Sequence, residues 1–315
     1  MTDLKIFSGT SNQDLASKIA SEAGVELGRC DIKRFADGEI QVEIHESVRG
    51  CNVFFVQSTC PPVNENYMEL FIVLDAFRRA SANEITSVMP YYGYARQDRK
   101  VAPRAPISAK CVAQLLKTAG ADRLVVVDLH SSQIQGFFDG PFDHLFAIPT
   151  LARTWREKFG TGEEFVVVSP DAGGVERARA FAKRLECSIA IVDKRRTGPN
   201  VAKAVHLIGD VKGKTAIVLD DMIDTAGTLC QSVDSLIKNG AKRAFAVATH
   251  PVLSGPAISR IMESGLEKVL VTDTIPLRPE GVACPKIEVI SVAPLVAEAI
   301  KRINSKDSVS ALFEV

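Results

Sequence analysis

Short apolar runs rich in valine and isoleucine recur along the chain, separated by longer stretches whose apolar positions return every three or four residues. The runs predict buried strands and the longer stretches helices with one apolar side. A helix is expected over 12–24, with Leu15, Ile19 and Ala20 on one face and Gly24 at its end. Ile40, Val42 and Ile44 alternate with Gln41, Glu43 and His45, a half-exposed strand; the Asp37-Gly38 pair before it makes 35–39 a hairpin tip. Strand 52–58 and helix 69–82 follow, the helix turning Leu70, Val73, Leu74 and Phe77 inward. Strand 85–92, helix 107–119 and strand 123–128 complete the first half. The second half repeats the plan. Strand 165–169 leads to a helix from Val175 that buries Ala178, Phe181, Ala182 and Leu185, and strand 188–192 comes next. Strand 216–219 precedes a helix over 229–239, with Val233, Leu236 and Ile237 apolar and Gly240 closing it. Strand 243–248, helix 254–264, strands 268–272 and 286–292 and helix 293–304 end the series. Strands alternating with helices in both halves predict two doubly wound parallel-sheet α/β domains. The first is expected over 1–146, joined by the tail 305–315, and the second over 147–304.

Composition narrows the partners. The 315 residues suffice for two domains with proper cores, and 38 basic residues balance 38 acidic ones. No global field draws the chain to nucleic acid or an anionic membrane. No apolar run reaches the ~18 residues of a membrane span, and the N-terminus lacks a signal pattern. Seven cysteines, an odd number without a C-x-x-C pair, speak against a disulfide frame or zinc site and for a reducing cytoplasm.

The chemistry gathers after the strands. In KTAIVLDDMIDTAGT (214–228), Asp220 and Asp221 stand at a strand's carboxyl end, followed by Asp224, Thr225, Ala226, Gly227 and Thr228 at a helix start. Backbone N–H groups, two threonine hydroxyls and the helix dipole make a phosphate cradle there. The paired carboxylates repel an anion and suit sugar hydroxyls or Mg²⁺ instead. Together they describe a pentose phosphate. GDVKGKT (209–215) imitates a nucleotide P-loop but has three residues between its glycines where four are needed; it is a turn. The loop 93–108 clusters arginine and lysine and suits a polyphosphate. Asp128, His130, Asp139 and Asp143 fall in a segment that reads as too polar to be core, open to metal or nucleotide contact. Asp171, Ala172, Gly173 and Gly174 form another anion- or metal-binding turn, and 193–200 a mobile basic loop.

DDMIDTAGT resembles the phosphoribosyl-diphosphate loop of the phosphoribosyltransferases. With RFADGE, GYARQDR, DLHSSQIQGFFD, SPDAGG and DKRR in this order and spacing, the chain resembles the ribose-phosphate diphosphokinase (PRPP synthase) family of the phosphate-activated class I type, nearly end to end. The resemblance implies two domains of type I phosphoribosyltransferase kind, related as an internal duplication. It also implies transfer of a diphosphoryl group from MgATP to ribose 5-phosphate. Phe35, Asp37 and Glu39 would hold adenine; Arg96, Gln97, Asp98 and Arg99 would meet the nucleotide and its phosphates. His130 and Asp171 would sit at Mg²⁺, with Asp128 nearby, and the 171–174 turn would receive the diphosphate. Asp220 and Asp221 would take the ribose hydroxyls, and 224–228 the 5-phosphate. Lys194 and Arg196 would close on the transition state, Arg196 also meeting ribose 5-phosphate. Ala226 occupies a position expected to vary. Ser47, Arg49, Ser81, Arg104, Ser308 and Ser310 match positions that bind activating phosphate or inhibitory ADP across a subunit boundary in a hexamer. A phosphoribosyltransferase or a non-catalytic synthase-associated subunit would share parts of this pattern. The first has no use for an ATP site, and the second carries altered active-site segments where this chain keeps Lys194, Arg196 and His130.

Overall fold

The computed structural model describes residues 3–195 and 204–312. They divide into two compact units: one takes in the described residues up to Phe146, Thr274–Pro276 and those after 290; the other takes in those of Ala147–Asp273 and Leu277–Ile290. Unit one runs β1 (Leu4–Ser8), α1 (Gln13–Ala23), β2 (Cys30–Arg34), β3 (Ile40–Ile44), β4 (Asn52–Val56), α2 (Val63–Arg79), β5 (Glu84–Met89), α3 (Ser108–Ala119), β6 (Arg123–Val127) and β7 (Phe142–Leu145). Unit two runs α4 (Ile148–Phe159), β8 (Phe165–Ser169), α5 (Val175–Leu185), β9 (Ser188–Arg195), β10 (Ala204–Ile208), β11 (Thr215–Ile223), α6 (Gly227–Lys238), β12 (Arg243–Pro251), α7 (Ala257–Glu263), β13 (Leu266–Thr272), α8 (Pro279–Val282) and β14 (Ile287–Ile290). The last helix, α9 (Ala293–Ser305), belongs to unit one and packs on α1, whereas the sequence reading kept 293–304 with the second domain.

The sheet of unit one has the parallel order β1-β4-β5-β6-β7, with β2 and β3 a separate antiparallel pair. In unit two the order is β10-β9-β8-β11-β12-β13-β14, parallel except for β10. The series β8-β11-β12-β13-β14 thus repeats β1-β4-β5-β6-β7. In each, a two-strand excursion separates the first strand from the second, the duplication in topological form. Because side chains alternate along a strand, each sheet has two apolar faces. Phe55, Met89 and Val126 join Leu70, Phe77 and Leu116 of α2 and α3 in one cluster, while Ile6, Phe54, Val88 and Val125 are buried on the other face. In unit two, Val168, Val218 and Val271 pack with Val233 and Leu236 of α6. Trp155 of α4 meets Phe165 and Phe245 edge-on, centroids 5.8 and 5.2 Å apart. Among the described residues no helix is long and apolar enough to cross a membrane. All seven cysteines are free thiols.

Several elements depart from the pattern reading, mostly through long-range pairing. Helix α2 begins at Val63, six residues ahead of the expected start, directly after Pro61-Pro62. Proline is tolerated at a helix entrance, and Tyr67 extends the buried face backwards. β9 continues through Asp193, Lys194 and Arg195, where a loop was expected, because β10 pairs with it: Lys194 lies opposite Val205 and Arg195 opposite Ala204. Likewise β11 carries on past Leu219, since β12 accompanies it from Asp220 opposite Ala248 to Ile223 opposite Pro251. Ile237 is an exposed residue of α6, not part of its buried stripe. The segment judged too polar for a core contains β7, and Asp128, Asp143 and His144 are buried there. Asp143 is satisfied by an ion pair with Arg123 at 2.8 Å, which removes it as a metal candidate.

Candidate functional site: a carboxylate pair before a phosphate loop

In unit two, β11 delivers Asp220 and Asp221 to its carboxyl end, and residues 224–228 turn the chain into α6. Ala226 is the N-cap residue and adopts a left-handed φ of 58°. Its methyl group offers no oxygen, so no side chain caps the helix. The first-turn N–H groups of a helix lack internal partners, and Thr225 and Thr228 at this helix start are exposed. The turn is braced from behind. Leu253 and Ser254 donate backbone bonds to Ile223 and Asp224, and Arg260 of α7 donates from Nη1 to the Thr225 carbonyl at 2.9 Å. A Cβ at Gly227 would lie 3.2 Å from that Arg260 nitrogen, so glycine admits the guanidinium close under the loop. Nothing in the spacing of α7 announces Arg260.

Asp221 is buried and Asp220 half-buried; the Asp221 N–H donates to Asp220 Oδ1 at 2.9 Å. Burial, and then the Asp221 charge, push the Asp220 carboxyl up to about 8. Arg177, in the first turn of α5, stands 3.4 Å from Asp221 Oδ1 and 4.0 Å from Asp220 Oδ1. The sequence reading missed it. The one signal was a basic residue at a helix start, where the dipole favours acids.

The same α5 follows the turn of Asp171, Ala172, Gly173 and Gly174. Asp171 Oδ1 accepts from Gly174 N–H at 3.0 Å, and Ser169 Oγ donates to the Asp171 carbonyl at 2.7 Å. A Cβ on Gly174 would come within 2.8 Å of Ser169 Oγ, so the turn closes this tightly only with glycine. Asp171, Ala172 and Gly173 are exposed. Lys194 has its backbone in β9, and Arg196 lies outside the described residues.

Unit one holds the other sequence candidates. The β2–β3 hairpin closes through Phe35 N–H to the Glu39 carbonyl and Gly38 N–H to the Phe35 carbonyl, at 2.8 and 2.9 Å. Arg34 braces it by pairing with Glu65 of α2 at 2.7 Å. Phe35 is 52% exposed at the tip, beside exposed Asp37 and Glu39. After β5, Gly93 packs so tightly that a Cβ would meet the Thr59 carbonyl at 2.5 Å. This anchors the loop carrying Arg96, Gln97, Asp98 and Arg99. Gln133 donates to Asp98, bringing this loop against the segment that carries His130. His130 is exposed, one residue beyond a backbone N–H of Leu129 that donates to Nε2 of buried His144 at 2.8 Å. His144, also missed from sequence, thereby holds the strand end in place.

Five of the six candidate regulatory residues fall in two groups, and all six are in unit one. Gly50 N–H donates to the Ser81 carbonyl at 2.9 Å, which joins Ser81 to the turn of Ser47 and Arg49. Arg49 lines an open cavity of about 730 Å³ with Asp3, Asn304, Ser305 and Lys306. Ser308 and Ser310 share a 3.0 Å hydroxyl contact, and Arg302 donates to the Ser308 carbonyl. Arg104 is exposed, with a left-handed φ of 64°.

Among the described residues no group of three or more His, Cys, Asp or Glu is arranged to hold a metal. Mg²⁺ that arrives on substrate phosphates keeps several waters and needs only one or two protein groups. In unit two the exposed Asp171 carboxylate suits that hard cation as one such group, and in unit one the exposed His130 imidazole can meet a cation's water shell.

Residues 4–120 match the model of the N-terminal domain of ribose phosphate pyrophosphokinase, and 195–314 that of the phosphoribosyl synthetase-associated domain. The chain is 57% identical over 310 residues to the ribose-phosphate pyrophosphokinase of Caldanaerobacter subterraneus subsp. tengcongensis, covering 98% of each. It is 55% identical over 311 residues to that of Fusobacterium nucleatum subsp. nucleatum, covering 99% of this chain and 98% of the relative. The crystal structure of phosphoribosylpyrophosphate synthetase from Mycobacterium smegmatis superposes with a TM-score of 0.91 at 45% identity, over 97% of this chain and 100% of that one. With two domain models, full-length relatives and a solved fold in agreement, the chain belongs to the ribose-phosphate pyrophosphokinase family.

Proposed function

We propose that the protein transfers the diphosphoryl group of ATP to the anomeric hydroxyl of D-ribose 5-phosphate, giving 5-phosphoribosyl 1-diphosphate (PRPP) and AMP. The observation that carries this is the carboxylate pair directly ahead of a helix start left uncapped by Ala226. Phosphate belongs on the N–H groups of 225–228, and hydroxyls belong on acceptors that cannot hold an anion. A five-carbon sugar phosphate has both.

In the reaction the anomeric oxygen attacks the β-phosphorus and AMP departs. Such a transfer depends mainly on alignment and on neutralising phosphoryl oxygens. Asp220 and Asp221 orient the sugar, and the 224–228 loop anchors its phosphate. The N–H groups of the 171–174 turn receive the diphosphate. Phe35 stacks on adenine, with Asp37 and Glu39 reading its edge, while Arg96, Gln97, Asp98 and Arg99 hold the nucleotide and its phosphates. Lys194 and Arg196 neutralise charge in the transition state. His130 and Asp171 would hold Mg²⁺, which supplies further neutralisation of the ATP phosphates when bound. Around this core we place inorganic phosphate as activator and ADP as inhibitor at Ser47, Arg49, Ser81, Arg104, Ser308 and Ser310. The same reading makes the protein a cytoplasmic homo-hexamer.

Phosphorus NMR of ATP, ribose 5-phosphate and Mg²⁺ with the protein tests the reaction. AMP and a new anomeric diphosphate are expected. ADP as the product, or no turnover, would remove the proposal, and release of diphosphate from PRPP and a nucleobase without ATP would make the protein a phosphoribosyltransferase.

A further inference from the structure

Arg177 sits where helix energetics disfavours it. It is the third residue of α5, in the first turn, where the positive end of the dipole opposes a cation and where the neighbouring Glu176 is the favoured type. A residue that breaks a local rule needs a compensating contact. The compensation is the carboxylate pair on β11: the guanidinium lies 3.4 Å from Asp221 and 4.0 Å from Asp220, with only 19% of its side chain exposed. Asp221, with 6% of its side chain exposed, needs such a partner, since a buried carboxylate is costly without charge or hydrogen bonds. The backbone N–H of Asp221 also ties the two acids together. Three residues after the tight 171–174 turn, α5 therefore reaches across to β11.

We propose that Arg177 is a positioning residue that holds Asp221, and through it Asp220, in the orientation that accepts the hydroxyls of ribose 5-phosphate. This rests on the reading that 220–228 takes the sugar phosphate. Without the guanidinium, the buried Asp221 carboxylate loses the counter-charge that stands 3.4 Å from it. Asp221 then rotates or takes up a proton, and either change removes an acceptor from the sugar. The phosphate loop, braced by Arg260 and the backbone bonds of Leu253 and Ser254, does not depend on Arg177. The nucleotide candidates in unit one do not depend on it either.

The test is a double-mutant cycle on Arg177→Met and Asp221→Asn, with Arg177→Lys as the charge-conserving variant. KM for ribose 5-phosphate and for ATP is measured on each full-length protein, and titration calorimetry of ribose 5-phosphate reads the same effect without turnover. Arg177→Met should raise KM and Kd for ribose 5-phosphate tenfold or more, and KM for ATP less than threefold. Arg177→Lys should recover most of the loss. In the Asp221→Asn background, Arg177→Met should cost less than threefold, because its partner no longer carries a charge. Fully additive effects, or a fall in kcat with both KM values unchanged, would overturn the role. A misfolded Arg177→Met protein leaves the Lys variant and its calorimetry to decide, since an undiminished defect in Arg177→Lys alongside normal binding by Asp221→Asn also overturns it. Absence of PRPP formation by the wild type is a different failure, of the underlying activity, and appears before any substitution is made.

Discussion

The two halves of the molecule carry the same five parallel strands but treat their excursions differently. In unit one, β2 and β3 pair only with each other and carry Phe35 outward on a tip braced by the Arg34–Glu65 pair. In unit two, β9 joins the main sheet beside β8 and β10 extends it, so Lys194 has its backbone within the sheet system. A detached hairpin presents a side chain at the end of a lever, whereas an integrated ribbon fixes the root of the segment that follows it. The second strands differ in the same way. β4 is followed by neutral, buried Gln57, Ser58 and Thr59, and β11 carries two carboxylates near its end. On the proposed function, one duplicated frame carries the aromatic nucleotide candidates in one half and the sugar-phosphate candidates in the other.

The largest effect should come from Lys194 and Arg196. Lys and Arg groups that neutralise transferring phosphoryl oxygens contribute on the order of 10³–10⁵ in rate. Lys194→Ala and Arg196→Ala are expected to lower kcat by about 10³ or more with little change in either KM. Near-normal kcat with a raised KM would move these residues to ground-state binding and erase the functional contrast between the excursions. At the hairpin, stacking of a base on an aromatic ring contributes about 1–3 kcal/mol. Phe35→Ala should accordingly raise KM for ATP by roughly ten- to a hundredfold and leave ribose 5-phosphate unaffected. An equal rise for both substrates would show that the tip does not belong to the nucleotide alone.

Arg49 follows the hairpin and lines the open cavity beside α9. Arg49→Ala should flatten the response of initial rate to phosphate and to ADP at saturating ATP by several-fold, with kcat at optimal phosphate retained. Unchanged response curves would place regulation elsewhere. The smallest effect is one of stability. Because the Asp220 carboxyl is raised to about 8, the folded ligand-free protein keeps a proton that the unfolded chain gives up near pH 4. Stability is therefore fully present below about pH 4 and is lost as pH rises through 8. Asp220 keeps about a third of its side chain exposed, so solvent reduces the effect to roughly 1 kcal/mol. Asp220→Asn should raise Tm by about 2–4 °C at pH 9 and much less at pH 5. A lower Tm at pH 9 would show that the carboxylate is stabilised by its surroundings and not strained by them.

Much of this was legible along the chain. The buried face of α5 came out residue for residue, because Ala178, Phe181, Ala182 and Leu185 obey a spacing that only a helix satisfies. The alternation of β3 and the hairpin tip before it were equally plain, and so was the meeting of two carboxylates with a small-residue loop at a helix start. Such features depend on neighbours within one or two turns, and the chemistry of an acceptor or an N–H cradle follows from residue type.

Tertiary structure decided the rest, because the partners lie far apart in sequence. β9 and β11 outran their apolar runs because β10 and β12 supplied backbone partners, and ladder hydrogen bonds extend a strand whatever its side chains. Asp143 and His144 entered the interior of unit one because Arg123 and the Leu129 N–H satisfy them. α9 joined unit one by packing on α1, a contact that hydrophobic spacing in α9 alone leaves undirected. Arg177 reaches Asp221 across 44 residues and Arg260 reaches Thr225 across 35. Periodicity within a segment sets which face is buried; which charge stands opposite another is set only when the sheets assemble.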